Sequence, residues 1–149
     1  MDIIRTDQNN VAFQLLVRSL NQELSIRDGK DHMFYSQFNG IENLKNVVVA
    51  YVNDVPVGCG AFKTFDKDIV EIKRMYTNPE GRQKGVASAV LRELETWMKD
   101  LKVPKCILET GKNLPEAVAL YRKFKYQIIP NYEPYQNTEN SICFEKKIL

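Results

Sequence analysis

Between positions 82 and 88 the chain reads Arg-Gln-Lys-Gly-Val-Ala-Ser, a short basic stretch with one glycine, placed directly ahead of a long apolar-periodic segment. Where a strand ends, a short loop turns and a helix begins, consecutive backbone N–H groups lack intrahelical acceptors and point beyond the helix start. The helix dipole makes that end positive. Gly85 lets the backbone turn and approach a ligand, Ala87 leaves the first turn uncrowded, and Arg82 with Lys84 adds positive charge beside the amides. A pyrophosphate suits such a cradle. Two familiar phosphate loops are excluded by spacing, because neither G-x-x-x-x-G-K-[ST] nor G-x-G-x-x-G occurs. Taken alone, the loop also reads as a plain strand-to-helix turn carrying surface cations.

Other chemistries find less support. The three cysteines, Cys59, Cys106 and Cys143, are scattered through apolar stretches without C-x-x-C spacing, and they read as small core residues in a reducing compartment. His32 is the only histidine and has no cysteine partner nearby, so no metal site is expected. Lys plus Arg total 21 against 19 Asp plus Glu, a net charge of +2. That balance is far from the cationic excess of a phosphate-backbone binder, so nucleic acid is not an expected partner. No window approaches the ~20 apolar residues of a membrane span and the first residues carry no leader pattern, which makes a cytoplasmic location the expectation.

The elements that must position the loop can be read from periodicity. The chain has 149 residues, 44% apolar and 27% charged, without repeats or linkers, as expected for a single domain over 1–149. Residues 2–5 suit an edge strand. Val11, Phe13, Leu15, Leu16 and Leu20 recur near helical spacing within 10–24. Arg27 to Gly40 reads as a loop with a short second helix whose aromatics dock on the core. From 46 to 65, two β-branched runs flank Asn53-Asp54 and predict a hairpin, and Asp68 to Tyr76 extends it to a meander. After the breaker run Asn78-Pro79-Glu80-Gly81, residues 86–101 predict a helix. Val86, Ala89, Val90, Leu94, Trp97, Met98 and Leu101 form its apolar stripe, with Arg92, Glu93, Glu95, Lys99 and Asp100 opposite. A strand at 105–109, a helix from a cap at Asn113 to about Phe124, and strands at 126–129 and 141–148 complete a mixed sheet with helices on both faces.

Over roughly 46–148 this pattern resembles the GNAT superfamily of acyl-CoA-dependent N-acyltransferases. The signature [QR]-x-x-G-x-[GA] after the fourth strand is matched by Arg82, Gly85 and Ala87. Glu71-Ile-Lys-Arg-Met-Tyr-Thr-Asn-Pro-Glu80 is similar to the run that precedes it in many members. Glu109-Thr-Gly and Ala117-Val-Ala-Leu-Tyr121-Arg-Lys-Phe are similar to the fifth strand and the helix after it. Gln83 and Ala87 stand where many members have glycine, and Lys125-Tyr126 where they have Gly-Phe or Gly-Tyr. The resemblance implies an α+β fold with a mostly antiparallel sheet of about seven strands whose fourth and fifth strands splay apart.

It further implies acetyl-CoA as co-substrate, with its pyrophosphate on the amides of Arg82, Gln83, Lys84, Gly85, Val86, Ala87 and Ser88. The pantetheine arm would run along Met75, Tyr76 and Thr77, and the Met75 N–H would hold the thioester oxygen. Glu71 is the candidate base that takes a proton from the amine, or else a salt-bridged strand residue beside Lys73. For Tyr121, periodicity alone favours the core, on a stripe with Leu114, Ala117 and Val118; the family match favours a proton donor to the leaving thiolate. Asn113 either contacts the cofactor or caps its helix. The acceptor pocket is expected from loops 24–38 and 130–140, where Asp28, Asp31, Glu133 and Glu139 could attract an amine between Tyr132 and Tyr135. The acceptor implied is a primary amine of a small molecule or peptide, met by direct attack in a ternary complex. A non-catalytic acyl-CoA-binding module is the alternative, and self-association as a homodimer stays open.

Overall fold

The computed structural model describes residues 1–149. Seven strands form one sheet in the order β1-β2-β3-β4-β5-β7-β6, with β1 at Asp2–Thr6, β2 at Asn46–Val52, β3 at Val55–Asp66, β4 at Ile69–Thr77, β5 at Lys105–Gly111, β6 at Gln127–Ile129 and β7 at Ser141–Lys147. The helices are α1 (Val11–Arg27), α2 (His32–Ser36), α3 (Val86–Asp100) and α4 (Pro115–Lys123). The sheet is mostly antiparallel. Its parallel pair is β4 with β5, in a register from Ile69↔Lys105 to Glu71↔Ile107.

The chain divides into two compact units. The first comprises Met1–Lys63 and Lys73–Thr96. Its hairpin turns at Asn53 and Asp54, both at positive φ (51° and 65°), the pair of left-handed residues that matches the twist of the flanking strands. Asn10 caps α1 through its side chain, which accepts from the Phe13 N–H at 2.8 Å. The buried face of α1 is Phe13, Leu16, Val17 and Leu20; Val11 and Leu15, expected on it, are exposed. At 100° per residue, positions 13, 16, 17 and 20 share a face and 11 and 15 fall off it. Phe13, Leu16 and Val17 pack with Leu44, Val47, Val49, Cys59 and Ala61 into an apolar core. The segment after α1 forms a 3₁₀ turn at Gly29–Asp31 and then α2. There Tyr35 is buried and Met33 is exposed, while Phe34 stacks edge-on against Tyr35 and Phe38.

The second unit comprises Thr64–Ile72 and Trp97–Leu149. Here β5 pairs along its whole length with β7, from Lys105↔Lys147 to Gly111↔Ser141, and β7 pairs with the short β6. Cys106, Leu108, Cys143 and Phe144 are fully or almost fully buried on these strands. The three cysteines are free thiols in the interior, as expected of small apolar residues. In α4 the predicted Asn113 cap is replaced: Leu114 occupies the N-cap position with no side-chain cap. Asn113 instead exchanges two hydrogen bonds with Asn140, at 3.2 Å each, tying the start of α4 to the loop before β7. In α3, whose residues up to Thr96 belong to the first unit, Glu95 is a second correction: expected on the solvent face, it is buried, as are Val90, Leu91, Leu94 and Met98.

Candidate active site

In the first unit β4 runs into the loop through a 3₁₀ turn, Pro79–Gly81, whose cap is Asn78; its side chain accepts from the Gly81 N–H at 3.0 Å. Gln83 and Gly85 then take positive φ (62° and 80°) on either side of Lys84. This alternation turns the backbone so that successive N–H groups face one side, the concavity that binds anions. The first helical bond outside the regular ladder is Ala89 N–H to Gly85 O, at 3.0 Å. Gly85 is therefore the N-cap residue, and the amides of Val86, Ala87 and Ser88 have no intrahelical acceptor. A Cβ placed on Gly85 meets nothing within 4 Å. The approach to these amides is open. Gly58 serves the same geometry from β3, since a Cβ there would lie 2.5 Å from Val86 Cγ1 and 3.1 Å from the Tyr76 carbonyl.

Arg82 is more committed than the sequence suggests. Its Nη2 pairs with Glu23 Oε2 of α1 at 2.7 Å, its Nε donates to the Thr77 carbonyl at 3.0 Å, and its guanidinium lies 6.0 Å from the centre of the Tyr76 ring. The side chain thus clasps the loop to the end of β4 and to α1. Lys84 is exposed. Positive charge beside the amides comes from Lys84 and the helix start, with Arg82 half-neutralised by Glu23. Met75, Tyr76, Thr77 and the residues 82–88 accordingly lie together in the first unit.

Glu71, Tyr121 and Asn113 lie in the second unit. Glu71 is 4% exposed on β4. The Tyr132 hydroxyl donates to its Oε2 at 2.8 Å. Burial first, and then the Glu71 charge and this hydrogen bond, drive the Tyr132 pKa far above the usual phenol range, so Tyr132 is a fixed donor that orients the carboxylate. Tyr132 is held in turn by edge-on contacts with Phe65 and Tyr135, at 5.1 and 5.7 Å. The loop that carries it is organised by the Asn131 amide, which donates to the carbonyls of Tyr135, Thr138 and Ser141 at 3.2 to 3.3 Å. From the sequence, Tyr132 and Tyr135 are expected only as pocket walls. Tyr135 is in fact buried, and a bond between residues 61 positions apart leaves no local signal.

Tyr121 is 4% exposed. Its ring packs on Tyr126 and Phe144, at 5.6 and 5.9 Å between centres. Desolvation, aided by Cys106 and Glu109, pushes its pKa well above that of free tyrosine, so the hydroxyl stays protonated at all physiological pH. The ring thus has the surroundings of a core residue, and the hydroxyl retains its proton.

Comparison with known proteins bears on what such a chain is. Residues 13–126 match the acetyltransferase (GNAT) family model. An uncharacterized N-acetyltransferase of Bacillus subtilis, YsnE, is 31% identical over 115 residues, covering 73% of this chain and 76% of its own. Among solved structures, a Klebsiella pneumoniae chain classed as an acyl-CoA N-acyltransferase superposes with a TM-score of 0.81 at 23% identity, over 99% of this chain and 97% of its own. The Thermoplasma acidophilum PaiA N-acetyltransferase, in complex with coenzyme A, gives 0.70 at 18% identity over 99% of both chains. The chain belongs to the GNAT family of acetyltransferases.

Proposed function

We propose that the chain transfers an acetyl group from acetyl-CoA to a primary amine of a small molecule or peptide, by direct attack within a ternary complex. The observation that carries this reading is the loop 82–88. Its positive-φ residues Gln83 and Gly85, unpaired helix-start amides and open approach at Gly85 suit a diphosphate. Acetyl-CoA supplies, when bound, an acetyl carbonyl activated as a thioester. The amides of Gln83 to Ser88, with Lys84, hold the diphosphate, and Arg82 keeps the loop in register through Thr77 and Glu23.

Along β4, Met75, Tyr76 and Thr77 offer backbone groups to the pantetheine arm. Arg74, directly ahead of Met75, sits at φ 58°, a left-handed break in the strand. Such a break diverts the following N–H from the ladder, and this supports the Met75 N–H as donor to the acyl oxygen when negative charge gathers on it. An alkyl ammonium of pKa near ~10 must lose a proton before its nitrogen can attack. Glu71, buried and oriented by Tyr132, takes that proton, directly or through water. Tyr121 gives a proton to the leaving sulfur, and the cycle closes when Glu71 releases the amine's proton to solvent and Tyr121 takes one back. Burial raises the Tyr121 pKa, so the hydroxyl carries a proton to give when the sulfur leaves. Asn113, engaged with Asn140, fixes the start of α4, the helix that carries Tyr121.

A thermal melt tests the reading before any acceptor is known. Acetyl-CoA at 100 times its Kd should stabilise the fold by about 2.7 kcal/mol, and free coenzyme A should act similarly because the diphosphate and pantetheine contacts are shared. A transition unmoved by millimolar acetyl-CoA would refute it.

A further inference from the structure

Arg74 is the residue that the mechanism above leaves unexplained. Its side chain is 7% exposed. Its Nη2 donates to Asn21 Oδ1 of α1, a neutral acceptor, and its Nε–H is enclosed with no acceptor at all. A guanidinium has five N–H donors and is always charged at physiological pH, so burial without a counter-anion is costly. No carboxylate compensates it. Glu23, two positions along α1 from Asn21, is taken by Arg82 at 2.7 Å and Arg27 at 3.6 Å. The remaining electrostatic neighbour is Cys59, whose thiol donates to the Arg74 carbonyl at 3.5 Å. Burial pushes that thiol up to about 12, so it is neutral and supplies no negative charge. Burial likewise lowers Arg74 to about 10, which still leaves it charged at neutral pH.

The Nη2 end of the guanidinium meets Asn21, which is itself exposed, so the pair adjoins the surface at that end. Arg74 also adjoins Met75, so its Cα lies ~3.8 Å along the chain from the residue assigned to the acyl oxygen. The geometry points to Arg74, with Asn21, as the reader of a carboxylate on the acceptor, which makes the acceptor class an amine bearing its own carboxylate, as in a free amino acid. This rests on the acetyltransferase reading for the acceptor's role, though the anion site itself does not. A carboxylate that takes the place of the Asn21 amide accepts from Nη2, a small shift of the guanidinium brings Nε–H to its second oxygen, and its charge replaces the counter-ion that the fold omits.

The decisive variant is Asn21→Asp, which is nearly isosteric and supplies that counter-ion from within. Calorimetry with propionate and phenylacetate, each against its primary amide, reads the site on the wild-type chain with and without saturating coenzyme A. The wild type should bind the acids at least ~10-fold tighter than the amides, the scale of one charge-assisted hydrogen bond. Asn21→Asp should lose that preference while its melting temperature holds or rises. Arg74→Lys, which keeps the charge but not the fork, should weaken it. Absence of acid binding in the wild type, equal binding of acids and amides, or an undiminished preference in Asn21→Asp would overturn the proposal. Acetyl-CoA binding measured on the same samples separates the two readings. Acid preference without acetyl-CoA binding sinks the acetyltransferase reading alone, and acetyl-CoA binding without acid preference sinks this one alone.

Discussion

Tyr121→Phe should lower kcat by roughly 10²–10⁴ on any amine that the wild type acetylates, with acetyl-CoA affinity and melting temperature near wild type. The substitution keeps the ring that packs on Tyr126 and Phe144 and deletes only the hydroxyl. A tyrosine that merely fills the core would lose at most about 1 kcal/mol of stability, and turnover would hardly change. The two roles therefore differ by orders of magnitude in one measurement. An undiminished kcat, with chemistry shown to be rate-limiting, would return Tyr121 to the core and leave cofactor binding untouched.

Glu71→Gln should cost a similar factor, about 10²–10⁴ in kcat/KM at neutral pH, if the carboxylate takes the proton from the amine. The fold should tolerate the change, because the Gln carbonyl can still accept from the Tyr132 hydroxyl that now meets Oε2 at 2.8 Å. The pH profile separates proton removal from positioning. As pH rises toward the ~10 of an alkyl ammonium, more acceptor arrives already neutral and the deficit of the variant should shrink. A deficit constant across pH would assign Glu71 to positioning, and no deficit at all would return it to the strand.

What the sequence disclosed and what it hid follow from the range of the interactions involved. The hairpin at Asn53-Asp54 is written within a few residues and appears where expected, whereas the equally local cap at Asn10 emerges only in the structure. The loop 82–88 was legible for the same reason, since its glycine, cations and following helix are contiguous. Side-chain partners across the fold were not. Arg74 sits in a polar-looking run, Lys73-Arg74, and only the break at φ 58° and the packing of β3 and α1 turn it inward. Glu95 was assigned to the wet face of α3 by charge alone, yet it follows Leu94 onto the buried side. Asn113 matched a capping pattern, but Asn140 from the last loop competed for its side chain and won. In Arg82 the residue was found and its partner missed, because Glu23 lies 59 positions away.

Gly85→Glu tests most directly whether the loop at the start of α3 holds the diphosphate of acetyl-CoA. The φ of 80° makes any side chain there strained by ~1–2 kcal/mol, but nothing within 4 Å obstructs it, so the variant should fold. Its carboxylate would occupy the face of the amides and repel the diphosphate. Calorimetry should show acetyl-CoA affinity reduced by ~100-fold or more relative to wild type, equivalent to losing about two charge-assisted contacts. A folded Gly85→Glu protein that binds acetyl-CoA with wild-type affinity would contradict the assignment of the site.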